Sequence, residues 1–253
     1  MKKSIIVLFI CNLILVLSCN SRNNKSNNSD SKDAQLMNVQ PIQIKEGYVN
    51  VENNKSGLIF LLRPVDLKIK IVHERPVDNQ NTFLSVAGAY TSKTYAIDGL
   101  FIEGGKKITT QINPALTGIC VFTNNTCSIL AYKDLNEPLI NNVINKGGSL
   151  FQQSLLLKNG LIIECNLFGN SLNLRRAMVI QNDNQFFVVE SKKPMTIVNF
   201  QKELQDIGIK DAINLDMGSW SEGWYKIKEG KKIISGENRY NTHKQTNWIV
   251  YYR

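Results

Sequence analysis

Histidine is nearly absent from this chain: its 253 residues include only His73 and His243. Neither has a partner at H-x-x-x-H or C-x-x-C spacing, so neither a structural metal nor a cofactor is expected. Acidic side chains are also few, 21 against 30 Lys and Arg. The basic surplus is scattered as KK and RR pairs, without the aromatic-interleaved basic stretch of a nucleic-acid reader, which excludes nucleic acid as the expected partner. Such a surplus suits an anionic lipid surface or an acidic polysaccharide. Long apolar runs are missing too. The longest, Ile5 to Leu17, falls short of the ~20 residues a spanning helix needs. No period of 20 to 50 residues recurs, which excludes a solenoid.

What is present begins at the N-terminus. Lys2 and Lys3 precede the apolar run, and the run ends on Val16-Leu17-Ser18-Cys19. A basic start, an apolar centre and a small residue before a cysteine resemble a lipoprotein signal with its lipobox, so residues 1–18 read as a signal peptide and Cys19 as the lipidation site. An ordinary secretory signal is the alternative. The next stretch, NSRNNKSNNSDSKDA, carries no aromatic or β-branched residue and cannot bury enough apolar surface to offset the entropy of ordering. Residues 19–34 are therefore read as lipidated cysteine and tether, and residues 35–253 as one domain. The expected location is the cell envelope, on the outer membrane or the periplasmic face, held through N-terminal lipid.

Within that domain, short strand-like runs dominate, among them LIFLLRP, LKIKIVHE, TFLSVAGAY, ICVF, CSILAY, RRAMVIQ and QFFVVES, separated by Gly, Asn, Asp and Pro. QNDNQ between AMVI and FFVV predicts a hairpin. TIVNFQKELQDIG predicts a helix: Thr196 caps it, Ile197, Phe200, Leu204 and Ile207 recur at helical spacing, and Gly208 closes it. LNEPLINNVINKGG predicts a second, with Leu139, Val143 and Ile144 on one face and Gly147-Gly148 as the stop. The fold class is α+β: a sheet-rich single domain of mixed or antiparallel strands with a few packed helices. Cys120, Cys127 and Cys165 permit at most one internal disulfide. With Asn124-Asn125 as a turn, Cys127 faces Phe122 and Cys120 faces Ile129, a diagonal arrangement, so three buried thiols are expected and a bridge after a one-step register change is the alternative.

Chemistry concentrates after the clear helix, in GIKDAINLDMGSWSEGWYK. An apolar strand delivers Asp216 into a Gly/Ser turn, and loops at strand ends are where sites sit. A carboxylate there serves as acid, base or sugar-hydroxyl acceptor, or simply binds its own turn. Trp220, Trp224, Tyr225, Trp248, Tyr251 and Tyr252 follow, suited either to stacking on sugar rings or to core packing.

The order of segments resembles the phosphodiester glycosidase family. SVAGAY is similar to its N-A-G-M-F segment, IDGLFIEGGK to its P-x-G-L-x-x-x-x-G-K strand and turn, and QQSLLLKNG to its Q-S-G-P-x-L-x-x-x-G. LRRAMVI sits where the family has R-x-A-x-G, and GIKDAINLDMGS where it has G-x-x-x-A-x-x-L-D-G-G-G-S. The resemblance implies hydrolysis between a sugar anomeric carbon and a phosphodiester oxygen. It also implies Asp216 as the acid/base or sugar-binding carboxylate and Arg175, rather than Arg176, as the phosphate clamp. Ser154, Gly88, Gly99, Gly218, Ser219 and Trp220 would complete the substrate pocket. Glu103, Glu164, Glu190 and Glu222 are candidates for a second acid. The expected partner is a phosphate-linked glycan or polysaccharide.

The chain departs from the family pattern at Val86, at Leu155-Leu156, at Met217 and at Ser219-Trp220. Those departures support an alternative, a catalytically inactive glycan-binding lipoprotein of the envelope. A structural or assembly role in polysaccharide export is a third reading, resting on the anchor alone.

Overall fold

The computed structural model describes residues 47–165, 169–181, 185–217, 222–236 and 239–253. These belong to one compact unit, Ile44–Arg253. Cys19 and the 20–34 tether lie outside the described residues.

The unit is mostly β. Three sheets carry it, and every strand pairing among the described residues is antiparallel, so the parallel component of a mixed sheet is not found there. The largest sheet runs, edge to edge, through Tyr48–Asn53, Ile59–Val65, Phe186–Ser191, Arg176–Gln181, Ile209–Asn214, Leu155–Lys158 and Leu161–Ile162. The second runs through Lys232–Ser235, Gly223–Lys226, Thr82–Ala87, Trp248–Tyr252 and Lys68–Val72. The third runs through Lys106–Thr109, Phe101–Glu103, Ser149–Gln153, Gly118–Thr123 and Thr126–Ala131.

All three contribute to one main core. Leu62, Met178, Val188 and Ile213 come from the first sheet, Ile71, Leu84, Val86 and Ile249 from the second, and Phe101, Phe122 and Phe151 from the third. Period-two alternation then turns the remaining apolar residues of the first and third sheets outward. Helices cover them. Ile197–Asp206 buries Ile197, Phe200 and Leu204 against Ala177, Val179 and Ala212, and Glu137–Asn145 buries Ile140 and Val143 against Ile119 and Leu150.

Local chemistry explains both helices. The Thr196 side chain accepts a hydrogen bond from Asn199 N at 3.2 Å, and Gly208 adopts φ +75° just past the end. Asn136 caps the other through Leu139 N at 2.9 Å, and Gly147 turns at φ +61°. Its buried stripe is Ile140 and Val143, with Leu139 and Ile144 only half-buried at its margin. The expected face is thus rotated by one position, because the third sheet meets the helix on the Ile140 side.

The Arg176–Gln181 and Phe186–Ser191 strands pair as the QNDNQ spacing implies, with residues 182–184 outside the described set. In the Cys hairpin, Asn124 and Asn125 take φ +49° and +59°, and Cys120 faces Ile129 while Phe122 faces Cys127. The three described cysteines form no disulfide, the Cys120 and Cys127 sulfurs lying 3.6 Å apart on the diagonal; Cys120 is buried as expected, whereas Cys127 and Cys165 are half-buried.

The helix over the first sheet yields a test. Thr196→Ala should cost about 1 kcal/mol and Phe200→Ala about 3–5 kcal/mol. Urea denaturation measures both, and a Phe200→Ala loss no larger than that of Thr196→Ala would mean the helix is not packed as described.

Candidate active site

The Ile209–Asn214 strand delivers its last residues into three other segments. Asn214 N donates to Ser154 O at 2.8 Å, Leu215 N to Arg176 O at 2.9 Å and Asp216 N to Gly88 O at 2.9 Å. Each bond fixes one neighbour of the carboxylate. Alternation sends Ile213 and Leu215 into the main core and leaves Asn214 and Asp216, two residues apart, on the opposite side.

The Gly88 segment then turns over the carboxylate. Thr91 N donates to Asp216 Oδ2 at 3.1 Å, and Asn214 Nδ2 donates to the Tyr90 hydroxyl at 3.1 Å. This segment is clamped from behind. Asn247, fully buried, accepts from Ala89 N at 2.7 Å and donates to Ala89 O at 3.0 Å, so both backbone groups of Ala89 are satisfied by one amide. A Cβ on Gly88 would come within 2.7 Å of Asn247 Oδ1. Glycine is therefore required there by the clamp.

The two adjacent arginines face different environments. Arg176 is fully buried on the main-core side, where Nε and Nη2 meet Glu190 Oε2 at 3.0 and 2.9 Å and Nη2 also reaches Ser235 Oγ at 3.1 Å. Arg175 is anchored by its backbone to Ser191, and its guanidinium donates to the carbonyls of Met195 at 3.0 Å and Ser171 at 2.6 Å. Carbonyls orient a cation without cancelling its charge.

The electrostatics tie the cluster together. Burial pushes the Tyr90 phenol well above its ordinary value, the Asp216 carboxylate and the Cys165 thiol push it the same way, and Ser154 and Arg175 oppose them. Burial lowers the Arg175 pKa, while Tyr90 and Cys165 raise it. Tyr90 is thus a neutral hydroxyl with a carboxylate, a guanidinium and a serine in electrostatic reach. Ser154 Oγ, itself buried, acts on that phenol.

With this geometry in view, comparison with known proteins is decisive for the family. A family model described as phosphodiester glycosidase matches residues 80–250. The chain belongs to the phosphodiester glycosidase family. The fold is similar to that of the catalytic domain of zebrafish N-acetylglucosamine-1-phosphodiester alpha-N-acetylglucosaminidase, auto-inhibited by its pro-peptide, at 13% identity and TM-score 0.55 over 82% of each chain. It is also similar to a hypothetical protein from Synechocystis, at 10% identity and TM-score 0.54, covering 81% of this chain and 61% of that one. At those identities the likeness concerns the fold. No curated protein matches the chain in sequence.

Of the residues singled out from sequence, this phosphodiester glycosidase domain brings Asp216, Gly88, Ser154 and Arg175 into one cluster. Gly99, at φ +86°, packs on Gln152 and Leu116, and its neighbour Asp98 N donates to Tyr90 O at 2.9 Å. Gly218, Ser219 and Trp220 lie outside the described residues. Among the described residues no group of three His, Cys, Asp or Glu is placed to hold a metal, and no helix is long and apolar enough to cross a membrane. Three of the four glutamates are engaged elsewhere: Glu103 by His73, Glu190 by Arg176 and Glu222 by Arg75. Glu164 is exposed and adjoins Cys165.

The departures from the family pattern also have places. Val86 and Leu155 lie in the main core and Leu156 under the helix, so none of the three takes a polar position in the cluster. Met217 is half-buried next to the carboxylate. Tyr90, Thr91, Asn214 and Asn247 were not apparent in the sequence. Only Asn214 left a signal, lying two residues before Asp216 on an alternating strand.

The arginine assignments separate in stability. Arg176→Met should cost about 3–5 kcal/mol, because Glu190 is left buried without its cation, and adding Glu190→Met should restore most of it. Equal losses in the single and double variants, by urea denaturation, would remove the ion pair from this account.

Proposed function

We propose that the chain hydrolyses the bond between a sugar anomeric carbon and a phosphodiester oxygen in a phosphate-linked glycan, releasing the free sugar and a phosphomonoester. The observation that carries this reading is the convergence of Asp216, Arg175, Tyr90 and Ser154, each beside the end of a different strand. Arg175 presents a planar, permanently charged fork to two phosphate oxygens. Asp216, held by Thr91 N, acts at the anomeric carbon, taking the proton of the attacking water or binding the ring hydroxyls. Tyr90 and Ser154 supply neutral hydroxyls between them.

The leaving group explains why a single carboxylate suffices. Cleavage of the sugar carbon–oxygen bond expels a phosphomonoester oxygen whose conjugate acid has a pKa of about 6. It departs without a proton from a general acid, unlike the alkoxide of an ordinary glycoside, which calls for the second carboxylate of the two-carboxylate mechanisms. Water adds to the anomeric carbon, its proton passes through Asp216 to solvent, and Arg175 balances the charge gathering on phosphate.

Phosphomonoester release from a panel of sugar-1-phosphodiesters is the test. Asp216→Asn should lower kcat about a hundred- to ten-thousand-fold. Arg175→Ala should raise KM for phosphate-bearing ligands more than for neutral sugars, and Arg175→Lys should not rescue it. Full activity in Asp216→Asn would displace the site. A folded chain that binds the diesters without releasing product would replace hydrolysis with glycan binding.

We also infer that Cys19 carries lipid and holds the domain at a membrane of the cell envelope, supported by the basic-apolar-Ser18-Cys19 order and the polar tether. Cys19→Ala should move the protein from the membrane fraction to the soluble fraction, and unchanged retention would overturn the anchor.

A further inference from the structure

Lysines that are scattered along the sequence are gathered by the fold. In the second sheet Lys226 lies opposite Lys232, Tyr252 lies between Thr82 and Lys68, and Arg253 follows Tyr252, so all of these stand at one end of the sheet. The turn from Lys226 to Lys232 adds Lys228 and Lys231, both exposed. The carboxylates set among them are Asp66, Asp78 and Glu229. Asp78 is shared, its two oxygens each 2.8 Å from the ammonium of Lys226 or Lys232, so that pairing leaves one cation over. Lys68, Lys228, Lys231 and Arg253 form no ion pair among the described residues.

The upstream chain joins the domain at this same end. Gly47 packs so closely on Leu67, the residue before Lys68, that a Cβ there would overlap its side chain. Tyr48 pairs with Val65, and Lys228 Nζ lies 6.0 Å from the centre of the Tyr48 ring. The Asp216 cluster is at the other end. Thr82–Ala87 leads into Gly88 and Asn247 leads into Trp248–Tyr252, so both strands run between the cluster and the lysines. A strand of six residues sets the two ends roughly 17–20 Å apart.

We propose that this basic end of the second sheet is a membrane-contact surface, which rests on anionic phospholipid headgroups and turns the Asp216 cluster away from the membrane that carries the anchor. The inference rests on the Cys19 anchor for bringing the domain to a membrane. A lipid chain binds modestly until a second signal joins it, and clustered lysines at an anionic surface are such a signal. Because the tether arrives beside the lysines, lipid and charge act together without the domain having to turn over. A groove for the glycan substrate would lead to the Asp216 cluster, whereas these cations lie at the far end from it. The orientation directs the site at glycan held away from the supporting leaflet.

Lysine acetylation, read by mass spectrometry on the full lipid-bearing chain, tests it on vesicles of phosphatidylglycerol and of phosphatidylcholine. Lys228 and Lys231 should be labelled about fivefold more slowly on the anionic vesicles, with exposed Lys93 at the site end unchanged. Salt at about 1 M, where the screening length falls to about 3 Å, should remove the difference. Lys228→Gln with Lys231→Gln should lower the affinity of the unlipidated Cys19→Ala chain for phosphatidylglycerol vesicles about twenty-five-fold, roughly fivefold for each cation lost. An unchanged affinity, equal labelling on the two vesicles, or protection of Lys93 in place of the turn overturns the surface. Stronger protection of the same lysines by a soluble acidic polysaccharide than by the anionic vesicles makes glycan the partner and overturns it as well. The anchor fails separately, when Cys19→Ala stays in the membrane fraction; the vesicle affinities of that chain, with and without the lysine substitutions, then still decide the surface.

Discussion

The backbone amides of Asn214, Leu215 and Asp216 hold this structure's chemistry together. The strand's last donors go to Ser154 and Arg176, at the ends of its two neighbours in the sheet, and then to Gly88 outside that sheet, so three segments far apart in sequence are joined. Backbone bonds are short and directional, and buried donors left unpaired are costly, so the register of this strand end determines where all four polar residues of the cluster stand. A one-residue slip would exchange Asp216 for Leu215 on the site side and place a carboxylate in the main core. Stability of the core and geometry of the site are thus the same constraint.

The same logic divides the arginine pair. Adjacent residues on a strand point to opposite faces, so one of two consecutive arginines had to enter the main core. Arg176 does, and a buried guanidinium of that kind is tolerable only because Glu190 sits directly across the strand pair. Arg175 lies on the other face, also buried, and its guanidinium donates to the carbonyls of Met195 and Ser171.

Local features were readable from sequence and long-range ones were not. The Ile197–Asp206 helix announces itself because its cap, its stripe and its terminal glycine all lie within thirteen consecutive residues. Asp216 was visible because a strand followed by a turn is also a local pattern. Tyr90 ends the strand-like run TFLSVAGAY, where nothing local marks it; only the return of the chain through Asn214 and Asn247 turns it into a site residue. Asn247 stands in a tail read for its aromatics, yet Trp224, Tyr225, Trp248 and Tyr251 are all buried in packing, and the small amide among them holds the Gly88 segment. Nothing in a short window distinguishes a clamp from a loop residue when its partner lies 158 residues away.

The wall that separates the cluster from a neighbouring concavity lined by Ile97, Ile108, His243 and Thr246 follows from this arrangement. Gln245, Thr246 and Asn247 form one short segment entering the Trp248–Tyr252 strand, and each reaches a different structure: Gln245 accepts from Glu222 N at 3.0 Å, Thr246 meets Thr91, and Asn247 clamps Ala89. Alternating side chains on an extended segment project to opposite sides, so a segment that holds the carboxylate loop with Asn247 offers Thr246 to the other side. A recess beside the site, bordered by Thr246, is therefore a geometric consequence of the clamp.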